Sequence, residues 1–283
     1  MLPPGDLTVI ANTADDDEFW GLLVCPDIDA VIYRIAGVFN ESVGYGQKEE
    51  TFHVLDALTQ MGEQTWFRLG DRDLATHVLR AEMLHRGATL TEATLEVCRR
   101  FNLRSRVLPM SDDPVRTRFG TERGTFSLQE YFVREHLEPA LRSIDFDGLE
   151  AAGLPTAAAA ALEQADLIVI GPSNPLISID PILAVIGHAL RREVTVAVSP
   201  IVGGRALKGP TVEMMRAMDL DPSPVEVARR YRDRCSGFVL DSDDRSLAAE
   251  IEGLGYAVLV CDTVMSADGG ARLAREILAW FAR

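Results

Sequence analysis

Short apolar runs alternate along the chain with segments in which apolar residues recur at helical spacing. The runs are apolar throughout and rich in β-branched residues, which is typical of parallel strands buried on both faces. The predicted strands are "LTVIAN", "TWFRLG", "SRVLPM", "DLIVIGP", "EVTVAVSP", "GFVLDS" and "YAVLVCD". The predicted covering helices are "DLATHVLRAEMLHRG", "PTAAAAALEQA", "DPILAVIGHALRR", "LAAEIEGLG" and "ARLAREILAWFAR". This alternation predicts an α/β fold with a doubly wound, mostly parallel sheet.

The middle of the chain departs from this alternation. Between Asp71 and about Arg142 the pattern is mainly helical, with one predicted hairpin in "VRTRFGTERGTFSL". One helix start in this stretch carries a capping-box pattern, with Thr89 three residues before Glu92. We therefore expect a single α/β domain over residues 1–283, with a mainly helical subdomain inserted at about 71–142.

The charge of the chain narrows the classes of partner. The sequence has 283 residues, 47% of them hydrophobic, and a formal net charge of -15. Nucleic acids and anionic membranes attract basic surfaces, so small molecules are the expected partners. No apolar run reaches the roughly 20 residues that span a bilayer, and the first residues lack a signal-peptide pattern. We expect a cytoplasmic protein whose four distant cysteines are free, buried thiols.

Polar clusters follow four of the predicted strands. In open α/β sheets, ligands bind beyond the carboxyl ends of the strands, where such clusters meet. The clusters are "NTADDD", with Asn12, Thr13, Asp15 and Asp16; "GDRDLATH", with Asp71; "GPSNP", with Ser173 and Asn174; and "SPIVGGRALKGP", with Lys208. The last two offer turn-forming residues, backbone N–H groups and one cation, a combination that suits a phosphate. Each cluster alone also fits a helix cap or a plain loop, but their shared position favours a site.

Two further carboxylates, Asp27 and Asp29, begin a predicted helix in "CPDIDAVIYRIAG". With Asp15 they suit Mg2+, a hard cation that takes oxygen ligands and keeps water and phosphate oxygens. Asp27 alternatively caps its helix, and neighbouring aspartates can divide the two tasks. An acidic protein that handles a diphosphate needs such a cation, because unscreened carboxylates repel the substrate within a Debye length of about 8 Å.

Six motifs in a fixed order resemble the 2-phospho-L-lactate transferases, called CofD or FbiA, of coenzyme F420 biosynthesis. They are "NTADDDEFWGLLVCPDIDAVIY", "RLGDRDLATHVLR", "LPMSDDPVRTR", "FSLQEYFVR", "IGPSNPLISIDPIL" and "SPIVGGRALKGP". The resemblance implies a Rossmann-like fold, a homodimer and a Mg2+-dependent enzyme. It also implies transfer of a phospholactyl or phosphoenolpyruvyl group from a guanosine diphosphate-linked donor to the deazaflavin Fo, with release of GMP. The two donors differ by two hydrogens, and these residues do not distinguish them.

The resemblance further implies roles for individual residues. The catalytic candidates are Asp15, Asp16 and Asp29, of which Asp15 and Asp29 are the expected metal ligands. The substrate-binding candidates are Asn12, Thr13, Asp29, Arg68, Asp71, Ser173, Asn174 and Lys208. Among them, Asp29 and Arg68 match positions expected to contact Fo, and Ser173, Asn174 and Lys208 match the nucleotide side.

The expected reaction is attack of the terminal ribityl hydroxyl of Fo on the phosphorus of the transferred group. Such a reaction depends mostly on alignment and charge neutralisation, which Mg2+ and cationic side chains supply. Asp16 and Asp29 are both candidates to accept the hydroxyl proton. We expect Asp29 to join the metal to the acceptor.

Two alternatives stay open at this point. Family members begin with a strand and a GGxGG-type loop, and this sequence starts at what would be their second strand. An inactive fragment with an unpaired sheet edge is therefore one expectation. The other is a non-enzymatic regulator similar to the YvcK group, which binds nucleotide sugars. That group is expected to carry a Gly- and Ser-rich run where this chain has "DDDEFWGLLVCPDID", which favours the transferase.

Overall fold

The computed structural model describes residues 3, 5–207, 209–265 and 270–282. The chain divides into two compact units, Leu2–Ala158 and Ala159–Arg283. Both contain parallel strands and helices, so the predicted α/β class is confirmed. The single-domain organisation stays a prediction. Within the described ranges, none of the helices combines the length and the apolar character that crossing a membrane requires.

The first unit begins with a strand that leads into the acidic motif. Its strands and helices are β1 (Thr8–Ala11), β2 (Asp17–Phe19), β3 (Leu22–Val24), α1 (Pro26–Ile35), α2 (His53–Gln60), α3 (Asp71–His85), α4 (Leu90–Arg100), β4 (Arg106–Pro109), β5 (Arg116–Thr121), β6 (Gly124–Ser127) and β7 (Leu141–Asp147). Strands β1 and β4 pair in parallel, and β2 and β3 form a hairpin. Strand β5 pairs antiparallel with β6, as the predicted hairpin requires, and with β7.

Apolar packing fixes the direction of β1 and α1. Ala11 and Val107 of the parallel strands pack in one cluster with Ile28 and Ile32 of α1 and Val97 of α4. Ile28 and Ile32 are four residues apart, so they share one face of the helix. The predicted capping box begins α4: the hydroxyl of Thr89 accepts the Glu92 N–H at 3.2 Å, and the Glu92 carboxylate accepts the Thr89 N–H at 2.8 Å. The acidic motif therefore follows the end of a strand that is held in place by buried apolar contacts.

Two parts of the first unit differ from the expected pattern. The strand predicted for "TWFRLG" is wrong, because residues 65–70 are irregular. Trp66 and Phe67 turn their rings onto Phe19 instead of alternating across a sheet. The stretch 71–142 holds α3 and α4, then β4, β5, β6 and the start of β7. Because β4 pairs with β1, this stretch supplies a sheet strand as well as helices.

The second unit is built around a parallel sheet of order β13-β12-β9-β8. Helix α5 (Thr156–Gln164) contains the boundary between the units. The elements that follow it are β8 (Ile168–Ile170), α6 (Asp180–Ile186), β9 (Thr195–Val198), β10 (Ile201–Val202), β11 (Arg205–Ala206), α7 (Thr211–Ala217), α8 (Pro224–Tyr231), β12 (Gly237–Asp241), α9 (Ala248–Gly253), β13 (Ala257–Cys261) and α10 (Ala271–Phe281). All four sheet strands were predicted from their apolar runs. The pairings β8–β9, β9–β12 and β12–β13 are parallel.

Both faces of this sheet are covered, as a doubly wound fold requires. Val239 of β12 packs with Leu273 and Ile277 of α10. The preceding residue, Phe238, points to the other face, where its ring lies 5.6 Å from that of Tyr256. The Tyr256 hydroxyl donates to a carbonyl of α8 at 2.7 Å. The strands are apolar throughout because neither face meets water.

Candidate active site

The acidic motif after β1 forms a buried turn, here called the acidic loop (Asn12–Asp16). The Asn12 side chain accepts the Ala14 N–H at 2.9 Å, which closes the turn. Strand β5 holds the loop from the side: the Thr117 N–H donates to the Ala14 carbonyl at 2.7 Å, and the Thr117 hydroxyl donates to Asp15 Oδ1 at 2.8 Å. All five loop residues are buried. Their positions are therefore set by the fold before any ligand binds.

Asn12 bridges two carboxylates, Asp15 of the loop and Asp27 of α1. Its Nδ2 donates to Asp15 Oδ2 at 2.9 Å and to Asp27 Oδ2 at 3.0 Å. Burial and then the Asp27 charge raise the pKa of Asp15 well above its usual range, and burial raises the pKa of Asp27. This open carboxylate pair (Asp15 and Asp27) has a neutral amide between its members. It is an arrangement that a cation would stabilise.

Asp16 is 3% exposed, and one of its oxygens has no hydrogen-bond partner among the described residues. Burial raises the pKa of Asp16 to about 8, against the opposing effects of a hydrogen bond from Cys25 and the charges of Arg116 and Arg80. The hydroxyl of Thr13 is likewise buried without a partner. Unsatisfied buried polar atoms are costly, so their position in one loop indicates a ligand site.

Asp29 has a different environment, the closed pair (Asp29 and Arg80). Both guanidinium nitrogens of Arg80 donate to the Asp29 carboxylate, Nη1 to Oδ2 at 3.1 Å and Nη2 to Oδ1. Arg80 is completely buried. Burial alone would lower the pKa of Arg80, but Asp29 more than offsets it and the pKa is raised. The charge of this carboxylate is therefore matched by a cation of the protein itself.

His77 completes the closed pair without adding charge. Its Nδ1 lies 3.2 Å from Nη1 of Arg80 and 3.6 Å from Oδ2 of Asp29. Burial lowers the pKa of His77 to about 4, so the ring is neutral near pH 7. A neutral Nδ1 accepts the Arg80 N–H, and the contact with Asp29 is not an ion pair.

The helix geometry separates the two carboxylates of the "CPDID" motif. Residues two apart in a helix differ by about 200° around its axis, so Asp27 and Asp29 face opposite sides. The structure joins Asp15 to Asp27, whereas the sequence predicted Asp15 with Asp29. Asp27 is also not a helix cap: Cys25 is the N-cap residue of α1 and no side chain caps it. The metal role of Asp29 stays a prediction that this geometry disfavours.

Asp71 serves a structural contact that the sequence did not predict. Its carboxylate accepts the Thr51 hydroxyl at 2.6 Å and the His53 and Val54 N–H groups at 3.0 and 3.1 Å. The Thr51 and Val54 hydrogen bonds lower the pKa of Asp71. These contacts satisfy the first amides of α2, and Glu50 does the same for α3 by accepting an N–H at 2.9 Å. A substrate contact by Asp71 stays a prediction.

Arg68 lies on the surface of the same region. Its guanidinium is stacked 4.4 Å from the centroid of the Phe52 ring, and the side chain is exposed. A cation held on an aromatic face keeps its outer donors available to water or a ligand. A substrate contact by Arg68 stays a prediction.

The nucleotide-side candidates lie in the second unit. Asn174 caps the turn after β8, since its Oδ1 accepts the Leu176 N–H at 2.9 Å, and Ser173 beside it is exposed. In the loop between β10 and β11, the N–H of Gly203 donates to Asp244 at 2.9 Å. Gly203 and Gly204 have φ values of 55° and 71°, which only glycine adopts readily. Lys208 lies outside the described residues.

The sequence assigned no role to Arg80, His77 or Thr117. A signal for the first two existed, because His77 and Arg80 are three residues apart on α3 and therefore share a face. A polar pair on the buried face of a helix indicates a partner of opposite charge. Thr117 had no such signal, since its contact with Asp15 joins residues 102 positions apart.

Comparison with known proteins finds relatives over nearly the whole chain. Residues 3–260 match the family described as 2-phospho-L-lactate transferase CofD. A 2-phospho-L-lactate transferase of Methanosarcina acetivorans is 35% identical over 280 residues, which covers 98% of this chain and 91% of that one. A phosphoenolpyruvate transferase of Kitasatospora aureofaciens is 37% identical over 295 residues, covering 98% and 90%.

A solved structure shares the fold at much lower sequence identity. Protein BH3568 of Bacillus halodurans superposes with a TM-score of 0.55 and 16% identity, covering 96% of this chain and 91% of that one. This likeness shows the fold alone.

Proposed function

Because the chain belongs to the CofD family of 2-phospho-L-lactate transferases, we propose that it transfers a phospholactyl or phosphoenolpyruvyl group from a guanosine diphosphate-linked donor to Fo in coenzyme F420 biosynthesis. The family predicted from the six motifs is thereby confirmed. Relatives named for either group occur at similar identity, so the donor stays open. No observation favours the nucleotide-sugar regulator. The observation that carries the proposal is the family match over residues 3–260, together with a buried acidic loop.

The open carboxylate pair supports the expected Mg2+. In the described part of the chain, no three His, Cys, Asp or Glu side chains form a metal-binding group. Mg2+ does not need one, because it is usually held by one or two carboxylates together with substrate phosphates and water. Asp15 and Asp27 would hold the ion, which would supply charge neutralisation for the diphosphate when bound. Both have raised pKa values, and among the described residues neither accepts a hydrogen bond from a cationic side chain, which fits this role.

The same geometry separates the two candidates for accepting the proton of the Fo hydroxyl. Both oxygens of Asp29 accept hydrogen bonds from Arg80, whereas Oδ1 of Asp16 is buried and has no hydrogen-bond partner in the part of the chain that the structure describes. A hydroxyl that donates to Asp16 Oδ1 would satisfy this oxygen. We assign proton acceptance to the ionised form of Asp16, which its pKa of about 8 makes a stronger base than an ordinary carboxylate, and leave Asp29 the acceptor contact implied by the resemblance.

Arg116 is the cation best placed to face a phosphate at the acidic loop. It is half-buried, and its Nη1 donates to the carbonyls of Val115 at 2.7 Å and Thr13 at 3.4 Å. Among the described residues it forms no salt bridge with a carboxylate. The planar guanidinium matches phosphate geometry, so Arg116 is assigned to the phosphate of the donor.

The remaining assignments follow the resemblance. Ser173, Asn174 and Lys208 are assigned to the guanosine diphosphate, and Arg68, Asn12, Thr13 and Asp71 to the substrates. A homodimer and a cytoplasmic location stay predictions. GMP is the leaving group of the proposed reaction.

A transfer assay tests the proposal. The protein is incubated with Fo and with each of the two guanosine diphosphate-linked donors, and GMP and the modified deazaflavin are separated by chromatography. We expect stoichiometric formation of both products with at least one donor and their loss on removal of Mg2+ by chelation. Absence of GMP with both donors, combined with tighter calorimetric binding of a UDP-sugar than of GDP, would instead identify a nucleotide-sugar regulator.

A further inference from the structure

The hairpin that follows β9 has a turn made only of glycines. Val202 pairs with Arg205, so Gly203 and Gly204 alone form the turn, here called the hairpin tip. Their positive φ values match the turn geometry that favours Gly-Gly. Each strand of the hairpin has two residues, and an isolated hairpin is marginally stable at best. Because glycine has the greatest backbone freedom, the tip needs contacts from outside the hairpin to keep one position.

The base and the tip of this hairpin are held in different ways. At the base, the Ser199 hydroxyl donates to the Ile201 carbonyl at 2.8 Å and accepts the Ile201 N–H at 3.2 Å. Ser199 and Ile201 are buried, whereas both residues of the tip are exposed. At the tip, the Gly203 N–H donates to Asp244 Oδ2 at 2.9 Å. A carboxylate is a stronger hydrogen-bond acceptor than a neutral oxygen, so Asp244 is well suited to hold this amide.

Asp244 belongs to a buried network that begins beyond the end of β13. The Thr263 N–H and hydroxyl donate to Asp241 Oδ2 at 2.7 and 2.8 Å. Asp241 Oδ1 accepts the Asp243 N–H at 2.9 Å, which fixes the start of the short 3₁₀ helix Ser242–Leu247 that contains Asp244. Thr263, Asp241 and Asp244 are 4%, 3% and 8% exposed. These three residues, here called the tip support, link the end of one strand to the hairpin tip.

The tip support lies at the edge of the sheet where ligands bind. Strands β9, β12 and β13 are neighbours, and the hairpin, Asp241 and Thr263 lie at or beyond their carboxyl ends. Ligands of open α/β sheets bind beyond these ends. The hairpin also belongs to the motif "SPIVGGRALKGP", which contains Lys208, a residue assigned to the nucleotide. Because the Gly203 N–H is bound to Asp244, this amide serves to orient the tip rather than to bind a phosphate.

We propose that Asp244 is a positioning residue for the guanosine diphosphate-linked donor, because it holds the hairpin tip in the position that the nucleotide meets. This inference rests on the proposed function, which supplies the donor. A loop that is ordered before binding loses less conformational entropy when its ligand binds. Asp244 thereby raises the affinity for the donor without touching it, and it takes no part in the transfer step.

The variant Asp244→Ala removes the acceptor of the Gly203 N–H. We expect KM for the donor and Kd for GDP to rise about tenfold, while kcat and KM for Fo stay unchanged, as for a residue that affects binding of one substrate only. The melting temperature should change little, since the amide at the exposed tip can donate to water. Asp244→Asn keeps an oxygen at the same place and should restore most of the affinity.

Asp243→Ala is the matched control. Asp243 is the neighbouring exposed carboxylate, with one oxygen 4.0 Å from the point that a Cβ on Gly203 would occupy. In the described part of the chain, its backbone takes part in the network and its carboxylate does not. Both KM for the donor and Kd for GDP should stay unchanged. An equal loss of affinity in Asp243→Ala would show that negative charge near the tip, not the hydrogen bond, affects the donor, and would overturn the assignment.

A calorimetric titration with GDP and Mg2+, without Fo, keeps the test independent of catalysis. Unchanged GDP affinity in Asp244→Ala would overturn the proposal. An affinity in Asp244→Asn as low as in Asp244→Ala would also overturn it, since the charge and not the position would then matter. If Asp244→Ala does not fold, Thr263→Val decides the question by removing a hydroxyl that holds Asp241. We expect it to raise Kd for GDP about threefold, and a wild-type Kd would overturn the proposal.

The same titration separates this proposal from the proposed function. If the wild type forms GMP and Asp244→Ala binds GDP equally well, the positioning role fails while the transfer stands. If GDP binding depends on Asp244 but neither donor yields GMP, the transfer fails while the positioning role stands.

Discussion

Two carboxylate groups of the first unit lie on one helix and differ in how their charge is balanced. In the closed pair, Asp29 receives two hydrogen bonds from the fully buried Arg80. In the open pair, Asp27 shares a neutral amide with Asp15, and no cationic side chain in the described part of the chain donates a hydrogen bond to it. The two aspartates are two residues apart, and the helix turns them to opposite sides. Charge balance, not sequence position, therefore distinguishes the two carboxylates of this helix.

The two pairs should differ in how loss of a charge changes the stability of the protein. Removing one member of a buried ion pair leaves an uncompensated charge, which is strongly destabilising. Removing one of two neighbouring carboxylates that repel each other relieves an unfavourable interaction in the ligand-free protein. The two groups should respond in opposite directions to loss of a charge, which makes the comparison testable.

The largest effect is expected at the closed pair. Arg80→Met should destabilise the protein by about 3–5 kcal/mol, because Asp29 would stay buried without its partner. Urea unfolding monitored by circular dichroism measures the change. The double variant Arg80→Met/Asp29→Leu removes both charges and should recover most of the loss. A double variant as unstable as the single one would show that packing, not charge, dominates this site.

At the open pair, loss of a charge should affect activity and spare stability. Asp15→Asn keeps the size of the side chain but removes a metal-side charge, so the transfer rate at low Mg2+ should fall about a hundredfold. The melting temperature of the ligand-free protein should not fall, because a buried repulsion is removed. Rates come from GMP release and stability from thermal unfolding. A large loss of stability with normal turnover would contradict the assignment.

Asp73 extends the comparison to another buried carboxylate that has no salt bridge among the described residues. Burial and then the charge of Glu50 raise the pKa of Asp73 to about 7 from an ordinary value of 3.8, and one oxygen has no hydrogen-bond partner within the described ranges. Because the folded-state pKa is raised, stability is highest below the unfolded-state pKa and falls as the pH rises toward 7. Asp73→Asn should remove this loss and stabilise the protein at pH 8 by about 1–3 kcal/mol.

Urea unfolding at pH 5 and pH 8 checks the sign of the Asp73 effect. The exposed residue Asp56 offers a control, since Asp56→Asn should change stability little at either pH. A loss of stability in Asp73→Asn at pH 8 would mean that the carboxylate accepts hydrogen bonds worth more than its burial costs.

The smallest effect on stability is expected at the capping box of α4. Thr89→Ala breaks the capping box of α4, at a site without an ion pair or a ligand role. It should cost about 1 kcal/mol, the usual worth of such a cap, and leave transfer unchanged. Thermal unfolding and GMP release measure both quantities. A loss below a few tenths of a kcal/mol would show that packing alone holds the start of α4.

The sequence predicted the regular parts of this fold because their signals are local. The apolar runs of β1, β4, β8, β9, β12 and β13 are each visible in a few consecutive residues, as are the capping box and the β5–β6 hairpin. "TWFRLG" carries a similar run, but its rings pack on Phe19 of a different segment. Strand β7 was missed because it alternates polar and apolar residues as a partly exposed strand of a small antiparallel sheet.

The candidate site was predictable in part for the same reason. The acidic loop follows a strand, and its motif is specific, so Asn12, Thr13, Asp15 and Asp16 were identified from the sequence. The partner of Asp15 was not identified from the sequence. Both Asp27 and Asp29 lie in the first turn of the helix, and only the helix geometry, which directs them to opposite sides, distinguishes them. Arg80 neutralises Asp29 from 51 positions away, a contact that a single sequence does not encode locally.

The Mg2+ concentration that gives half the maximal transfer rate tests the central claim most directly, measured for the wild type, Asp27→Asn and Asp29→Asn. If the open pair holds the ion, Asp27→Asn should need at least about tenfold more Mg2+, since it loses an anionic ligand. Asp29→Asn should need the same Mg2+ as the wild type, whatever its rate, because Asp29 is held by Arg80. The reverse pattern, with a raised Mg2+ requirement only in Asp29→Asn, would contradict the assignment of the two pairs.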